Sequence, residues 1–420
     1  MKKLLLPCVV GCSGSDAVGT QLQDVMIAPD VPSNQLDLLF VIDDSPSMLD
    51  KQIALRASFP HMMDQLASLP NGIPDLHIAV VTSDMGTSAL ASDPAPAIPG
   101  DVGGCHDHGD NGAFRTDPSI TGNFITTAPA NYTGSLPDAF SAITQVGAEG
   151  CGFEQTLASM QQALSPTAPA TNAGFLRPNA NLGIVIISDE DDCSVEDSTL
   201  LSHDTTFLGP LQSFRCTRYG VICDDNGATT DDMNNVGDKA RCHANESSTL
   251  VAQITPFADT LKALKADPAQ VMVAALVGPT EPVSVVLQAP GGGSPIPALG
   301  HSCSFAGAEY EEVADPAIRL TEFAHQFPAR NAVESVCSND LSLPLTDIGI
   351  TTRQMMGDTC TTANITDACT VTDGGAAVPK CVSTEVDCWE LVTDATCTRL
   401  SIRRSQAPDP AAFTHVACPV

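Results

Sequence analysis

Leu36-Asp-Leu-Leu-Phe-Val-Ile-Asp-Asp-Ser-Pro-Ser-Met48 is the stretch that decides the fold of this 420-residue chain. Its residues from Leu38 to Ile42 are all apolar, and a run that is apolar on both faces is typical of a strand buried in a parallel sheet. The run ends at Asp43, and the hydroxyls of Ser45 and Ser47 follow. Because ligands of open α/β sheets bind at the carboxyl ends of the strands, the stretch also predicts where a site lies.

The loop after this strand carries hard oxygen ligands. One carboxylate and two hydroxyls lie within five residues, and a loop can turn all three towards one point. Such a set suits Mg²⁺ or Mn²⁺, which keep several waters and accept few protein carboxylates, with Ca²⁺ as a further candidate. The alternative is a serine-rich turn that caps the next helix, with Ser47 as its N-cap.

Phe40-Val-Ile-Asp-Asp-Ser-Pro-Ser-Met48 resembles the first metal loop of von Willebrand factor type A (VWA) domains, usually Asp-x-Ser-x-Ser. In that family the motif forms a metal-ion-dependent adhesion site. The resemblance therefore implies ligand roles for Asp43, Ser45 and Ser47. It also implies a metal that completes its coordination shell with an acidic group from a protein partner.

A second part of the resemblance follows another apolar strand, Leu182-Gly-Ile-Val-Ile-Ile-Ser-Asp189. VWA domains commonly carry Thr-Asp-Gly at this strand end, where the aspartate contacts the metal directly or through water. Asp189 matches that aspartate, although the residues on either side of it differ. We expect Asp189 to contact the metal, and we expect the next carboxylates, Asp191 and Asp192, to be solvated.

The third family element is a metal-ligating threonine in the loop before a helix. By local pattern Ala148 occupies that slot within Val146–Leu157. Thr156, or the carboxylate of Glu154, is a possible substitute, and ordinary helix surface is the alternative for both. The missing threonine predicts a site of modest metal affinity.

The remaining pattern predicts a doubly wound, mostly parallel α/β domain over residues 36–357, with long loop insertions at 85–135 and 195–247. Further strands are predicted at Leu76–Thr82, Val271–Gly278 and Val333–Cys337. Helices are predicted at Leu49–Leu69, which Pro60 should kink or split, and at Thr249–Lys265, Asp315–Phe327 and Leu341–Met356.

The chain changes character after Gly357. Six cysteines fall in the last part of the chain: Cys360, Cys369, Cys381, Cys388, Cys397 and Cys418. Alternation at Glu390–Thr393 and Cys397–Arg403 predicts strands. Residues 358–420 are therefore predicted to form a small β module that needs disulfides, because a module of this size has little core.

The amino terminus has the form of an export signal. Met1-Lys-Lys is a positive region, and Leu4–Gly11 is a short apolar region. Val9-Val-Gly-Cys12 resembles a bacterial lipobox, which implies a signal peptide over residues 1–12, lipid on Cys12 and a tether over residues 13–35. An ordinary secretory signal is the alternative. The predicted location is the bacterial cell envelope, with a lipid anchor in the outer membrane or the periplasm.

Charge and cysteine content narrow the class of partner. The formal net charge is −31, from 19 basic and 50 acidic residues, which argues against nucleic acid and anionic membrane surfaces. Of 16 cysteines, 16 − 2 = 14 lie beyond the leader, and none forms a Cys-x-x-Cys pair. The sequence therefore predicts disulfides in an oxidising compartment. Cys105-His-Asp-His-Gly-Asp110 is either an exposed polar turn or a metal-binding loop.

Three functions remain open. The chain lacks a Gly-x-Ser-x-Gly elbow, a His-Glu-x-x-His motif and a phosphate loop, so we expect a binding protein rather than an enzyme. The first hypothesis is metal-dependent capture of a protein partner. A metal-assisted hydrolase and a purely structural envelope protein are the alternatives.

Overall fold

The structure is a computed structural model, and it describes two stretches of the chain. The first is residues 34–356, apart from 70, 88–104, 107, 203, 226–228, 231–232, 290–291, 309 and 329. The second consists of the terminal segments 22–27, 369–373, 376–383, 385–393, 398–403, 405 and 414–419. The predicted signal peptide and Cys12 lie outside the described residues.

The described strands follow the predicted alternation and add short insertions. In chain order they are β1 (Leu22–Ile27), β2 (Gln35–Ile42), β3 (Asp75–Thr82), β4 (Ile125–Thr126), β5 (Asn181–Ile187), β6 (Val221–Ile222), β7 (Asp224–Asp225), β8 (Thr229–Thr230), β9 (Gly237–Lys239), β10 (His243–Ala244), β11 (Val271–Val277), β12 (Val283–Gln288), β13 (Ile296–Leu299), β14 (Cys303–Ala306), β15 (Glu311–Ala314), β16 (Asn331–Ser335), β17 (Thr370–Asp373), β18 (Ala376–Val378), β19 (Cys388–Thr393), β20 (Thr398–Arg403) and β21 (Thr414–Pro419).

Helices separate the long strands. In chain order they are α1 (Leu49–Ala67), α2 (Leu136–Ile143), α3 (Thr156–Leu164), α4 (Thr205–Leu208), α5 (Phe214–Gly220), α6 (Ile254–Ala263), α7 (Ile318–His325) and α8 (Ser342–Met355). A strand that is followed by a helix and then by a parallel neighbour is the basic unit of an α/β fold.

The central sheet has six strands in the order β16-β11-β5-β2-β3-β4. All neighbouring pairs are parallel except β3 with the short edge strand β4. The predicted α/β class and the mostly parallel sheet are therefore confirmed. The strand that decides the fold, β2, lies in the interior of the sheet with β5 and β3 as its neighbours.

Both faces of this sheet are covered, which explains the apolar run in β2. Leu38, Phe40 and Ile42 face the core formed with α1, α2 and α8. Leu39 and Val41 face the opposite core, formed with α3, α6 and α7. Because each of these side chains is fully buried, each contributes about 1.5–3 kcal/mol to folding.

Two helices differ from their predictions. α1 is one continuous helix through Pro60, so the proline does not split it. Phe59 and Met62 on either side of the proline are buried against the same core, which holds both halves together. α6 begins at Ile254 instead of Thr249, because Val251 forms a bridge with Val195.

Two elements near the site also differ from their predicted limits. β16 covers Asn331–Ser335 instead of Val333–Cys337, because Ser335 is the last residue opposite β11. α7 covers Ile318–His325 and is shorter than predicted. The amide of Asp315, the predicted first residue of that helix, donates instead to the carbonyl oxygen of Asp189 at 2.8 Å.

The predicted disulfides are present in the described part of the chain. The pairs are Cys105–Cys151, Cys193–Cys216, Cys223–Cys242, Cys303–Cys337 and Cys381–Cys388. Three of them, Cys105–Cys151, Cys193–Cys216 and Cys223–Cys242, fasten the loop insertions, which have few long elements of their own. Disulfides of this kind indicate folding in an oxidising, extracellular or envelope compartment.

The C-terminal segment is made of strands where it is described. β19 and β20 pair as an antiparallel hairpin, and β17 pairs with β18 and β21. β21 also pairs with β1, whose residues belong to the predicted tether. Among the described residues, no helix combines the length and apolarity needed to cross a bilayer.

Candidate metal site at the carboxyl end of the central sheet

The two predicted metal loops meet because their strands are neighbours. β2 and β5 run in parallel, and Ile42 lies opposite Ile187 at their ends. The amide of Asp43 donates to the carbonyl oxygen of Ile187 at 2.9 Å. Asp43 and Asp189 therefore leave the sheet at the same edge, as the sequence predicted.

A chain of short contacts joins the predicted ligands. Asp43 Oδ1 accepts from the Ser45 amide at 2.7 Å, and Asp43 Oδ2 accepts from Ser188 Oγ at 2.7 Å. The Ser45 and Ser47 hydroxyl oxygens are 3.1 Å apart. Ser47 Oγ donates to Asp189 Oδ1, also at 3.1 Å. Ser47 is exposed whereas the two carboxylates are buried, so solvent reaches this group from the Ser47 side.

The oxygen spacing fits a small divalent cation. In an octahedron with bonds of about 2.1 Å, neighbouring ligand oxygens are about 3.0 Å apart. The two spacings of 3.1 Å from Ser45 to Ser47 and from Ser47 to Asp189 match such an edge. No group of three or more His, Cys, Asp or Glu side chains has metal-binding geometry among the described residues. An ion here would therefore depend on a mixed set of carboxylates and hydroxyls.

Lys51 is a charged member of this site that sequence reasoning missed. Its side chain is fully buried, and Nζ lies 2.9 Å from Asp189 Oδ2 and 2.7 Å from Glu312 Oε2. Nζ also donates to the carbonyl oxygen of Ser47 at 3.1 Å. Burial lowers the pKa of Lys51, but the two carboxylates outweigh it and raise that pKa, so the ammonium stays charged. The four-residue spacing from Ser47, one helical turn, was the only available signal.

Burial and repulsion dominate the electrostatics of the site. Burial, followed by the charge of Asp43, raises the pKa of Asp189 to about 7, even though Lys51 opposes the shift. Burial also raises the pKa of Asp43. The next carboxylate, Asp44, has a pKa of about 8 because of burial and the nearby charge of Asp43, and its Oδ1 has no hydrogen-bond partner. A bound cation would relieve this excess of negative charge.

Glu154 and Thr156, the possible substitutes for the threonine, are both buried rather than on the helix surface. Glu154 Oε1 and Thr156 Oγ1 have no hydrogen-bond partner. Burial, followed by the charges of Glu190 and Asp43, raises the pKa of Glu154 well above its usual range, which places this carboxyl within electrostatic reach of the metal loops. Thr156 begins α3. The alternative of ordinary helix surface is wrong for both residues.

Asp191 and Asp192, predicted to be solvated, are buried. Asp192 Oδ2 accepts from Arg319 Nη2 at 2.8 Å. Asp191 accepts from the amides of Arg319 and Leu320 at 2.9 and 3.0 Å, which caps the start of α7. The sequence could not reveal this pair, because Arg319 is 127 residues from Asp192 and no local pattern connects them.

The described part of Cys105–Gly112 is held as a turn against the end of β3. Asp110 Oδ2 accepts from Thr82 Oγ1 at 2.9 Å and from Arg115 Nη1 at 3.1 Å. These partners use the carboxylate within the protein, which favours the polar turn over a metal-binding loop.

Comparisons with known proteins give little further guidance. No family model matches the chain, and no curated protein is similar to it. Similar solved structures include a conserved hypothetical protein, BatB, from Bacteroides thetaiotaomicron, at 9% identity, covering 76% of this chain and 98% of that chain, with a TM-score of 0.30.

Two adhesins are also similar at this level. The adhesive tip pilin GBS104 from Group B Streptococcus agalactiae has 9% identity, covers 97% of this chain and 83% of its own, and gives a TM-score of 0.30. The pilus adhesin RrgA from Streptococcus pneumoniae has 13% identity, covers 94% and 57%, and gives 0.25. Likeness as low as this carries no argument about function.

Proposed function

We propose that this chain is an exported, membrane-anchored binding protein that captures an acidic group of a protein partner through a divalent cation. The cation would be held by Asp43, Ser45, Ser47 and Asp189, in a VWA-like domain. The observation that carries the proposal is the row of oxygens from Ser45 through Ser47 to Asp189, with two spacings of 3.1 Å. Mg²⁺ or Mn²⁺ suits this set of hard ligands, with Ca²⁺ as a further candidate.

The roles of the protein groups follow from their positions. A bound cation supplies an open coordination position for a carboxylate oxygen of the partner. Ser45 and Ser188 hold the Asp43 carboxylate in place, and Ser47 lies where the site meets solvent. Lys51 neutralises part of the charge of Asp189, so it limits the affinity for the metal.

The hydrolase alternative has weaker support. A serine nucleophile needs a base within hydrogen-bond reach of its hydroxyl. The hydroxyl of Ser45 contacts that of Ser47, and Ser47 Oγ donates to Asp189 instead of a histidine. These contacts suit coordination better than nucleophilic attack.

Anchoring through Cys12 is part of the same proposal. The disulfides support export, and the lipobox-like Val9-Val-Gly-Cys12 supports lipidation. Mass spectrometry of the mature amino terminus should find a diacylglyceryl group on Cys12. An unmodified amino terminus at another position would remove the anchor and leave export intact.

Partner capture is tested directly by affinity purification from envelope extracts. We expect one or more proteins to be retained in Mg²⁺ and released by EDTA, with retention lost in Asp43→Ala. Asp259→Asn, an exposed carboxylate of α6, is the matched control and should retain the same proteins. Equal retention by wild type and Asp43→Ala in both buffers would refute the proposal.

A further inference from the structure

A pocket of about 210 Å³ begins directly behind Asp189. The Asp315 amide bonds to the Asp189 carbonyl oxygen, and Glu190 is the next residue along the chain, so the pocket shares a wall with the candidate metal site. It is lined by Glu154, Glu190, Asp191, Phe214, His301 and Asp315, with further residues of α5 and β13 and the polar side chains of Gln212, Ser213 and Gln288.

Among the described lining residues, His301 is the one cationic side chain on the acidic side of this pocket. His301 Nδ1 is 2.7 Å from Asp315 Oδ1, and Asp191 is used by the backbone of α7. Glu154 and Glu190 remain, and the described lining residues include no lysine or arginine. Burial and nearby acidic charges raise the pKa of both carboxyls well above the usual range, so a bound cation would favour their charged forms. Glu154 is 1% exposed and its Oε1 has no hydrogen-bond partner, so a donor on a ligand would satisfy this atom.

The opposite side of the pocket is apolar. Phe214, Ala298 and Leu299 form it; all three are buried, and Phe214 and Leu299 belong to one small core. The disulfide Cys193–Cys216 fixes α5 to the acidic loop. The two walls are therefore held at a set separation.

A basic side chain fits these walls better than a second metal ion does. The described residues offer no three carboxylates at metal-binding spacing, and an ion would leave the apolar wall unused. Lysine and arginine carry a cationic head on an aliphatic stem, which matches one acidic and one apolar wall. The mouth is open to solvent, since His301 is partly exposed and Gln288 is exposed.

We propose that this pocket binds a lysine or arginine side chain of the captured protein, with the cationic head at Glu154 and Glu190 and the stem against Phe214 and Leu299. The partner would then present an acidic group to the metal and a basic group to the pocket. That the basic group belongs to a protein partner rests on the proposed function, whereas binding of the cation itself does not.

Small probes test the pocket in EDTA, where the metal site plays no part. Butylammonium and butylguanidinium imitate the two side chains, and butanol is their neutral counterpart. Ligand-detected NMR titration of the full disulfide-bonded chain should give saturable binding of either cation and none of butanol. Glu154→Gln keeps the shape but cannot ionise when a cation binds, and we expect it to weaken binding about tenfold or more.

Two further variants provide a control outside the pocket and a test of its apolar side. Glu281→Gln changes an exposed carboxylate outside the pocket and should leave binding unchanged. Ala298→Leu fills the apolar side without touching a charge and should also weaken binding, with near-ultraviolet circular dichroism confirming the fold.

Equal binding of butanol, no saturable binding of either cation, or no effect of Glu154→Gln would overturn the inference. The inference would also fail if, without EDTA, the pocket bound Ca²⁺ in a way that Glu154→Gln abolishes and bound neither butylammonium nor butylguanidinium. A chain that binds the cations in EDTA but captures no protein in Mg²⁺ would count against the proposed function alone.

Discussion

The two ends of β2 carry buried aspartates in opposite electrostatic situations. At the amino end, Asp37 is fully buried and accepts from the amide and Nε of Arg177, both at 2.8 Å. Lys265 Nζ lies 3.6 Å from the same carboxylate. Two cationic side chains thus surround one buried negative charge.

At the carboxyl end the balance is reversed. The buried or partly buried acidic groups there are Asp43, Asp44, Glu154, Asp189 and Glu190. Lys51 is the buried cation that contacts this group among the described residues. Buried charges persist only when they are paired. The amino end, whose carboxylate is paired, therefore has a structural role, whereas the carboxyl end needs a cation from outside.

The largest expected effect comes from breaking the balanced end. Asp37→Ala leaves the buried Lys265 ammonium without its carboxylate, while Arg177 keeps Asp75 at 2.9 Å, and the change should cost about 3–5 kcal/mol of unfolding free energy. Urea unfolding should show the same loss in Mg²⁺ and in EDTA, because no metal site lies at that end. A loss that Mg²⁺ repairs would mean that the two ends are coupled, and the comparison would fail.

Lys51→Met is the corresponding change at the unbalanced end. In EDTA it should cost about 3 kcal/mol, because Asp189 and Glu312 lose their buried partner. In Mg²⁺ part of this loss should be recovered, since the metal replaces the ammonium beside Asp189. Urea unfolding in both buffers measures the recovery.

The matched control for that change is Lys262→Met on α6. Lys262 lies over the Phe327 ring at 5.1 Å, so its removal should cost about 1 kcal/mol or less. The cost should be equal with and without metal. If Lys51→Met behaves in the same way, Lys51 does not compete with a cation.

The main sheet was predictable because its signal is local. Leu38 to Ile42 alternate between two helical layers, and a strand with two buried faces must be apolar throughout. The position of Asp189 beside Asp43 followed from strand order in α/β folds. The local pattern of each strand and its following loop was therefore enough to predict these parts of the site.

The rest of the site depends on contacts that local patterns do not contain. Lys51 meets Glu312, which is 261 residues away, through an inserted hairpin. Asp192 meets Arg319 in the same way, and four acidic residues in a row read as a solvated loop until that partner is known. Pairing over such distances is fixed by the packed fold and not by periodicity.

Metal binding itself should have a somewhat smaller effect on stability. At a Mg²⁺ concentration 100 times the dissociation constant, the wild type should gain about 2.7 kcal/mol by mass action. Asp43→Ala should show no gain, because the central carboxylate is lost. Thermal unfolding with Mg²⁺ and with EDTA measures both, and equal midpoints for the wild type in the two buffers would rule out the metal site.

Asp192→Ala separates structural from metal-binding carboxylates in the same experiment. Its removal leaves Arg319 buried without a charged partner, so the variant should be less stable in both buffers. The gain on adding Mg²⁺ should nevertheless equal that of the wild type. A lost gain would assign Asp192 to the metal site.

The smallest expected effect comes from adding the missing threonine hydroxyl to the loop that contains Ala148. The loop that contains Ala148 is fixed to the first metal loop on both sides. Gln52 Nε2 donates to the carbonyl oxygens of Gly147 and Asp43, at 2.7 and 3.2 Å. The Gly150 amide donates to the carbonyl oxygen of Asp44 at 2.8 Å.

Ala148 therefore lies between two fixed points beside the candidate ligands, at the position that the sequence predicts for the VWA threonine. Ala148→Thr adds one hydroxyl there, and we expect Mg²⁺ affinity to rise about tenfold, equivalent to about 1.4 kcal/mol. Ala148→Val has nearly the same shape without the hydroxyl and should leave affinity unchanged. Calorimetric titration of the three proteins with Mg²⁺ distinguishes them. If Thr and Val raise the affinity equally, the effect comes from packing and the resemblance at this loop fails; if neither raises it, the slot does not face the metal.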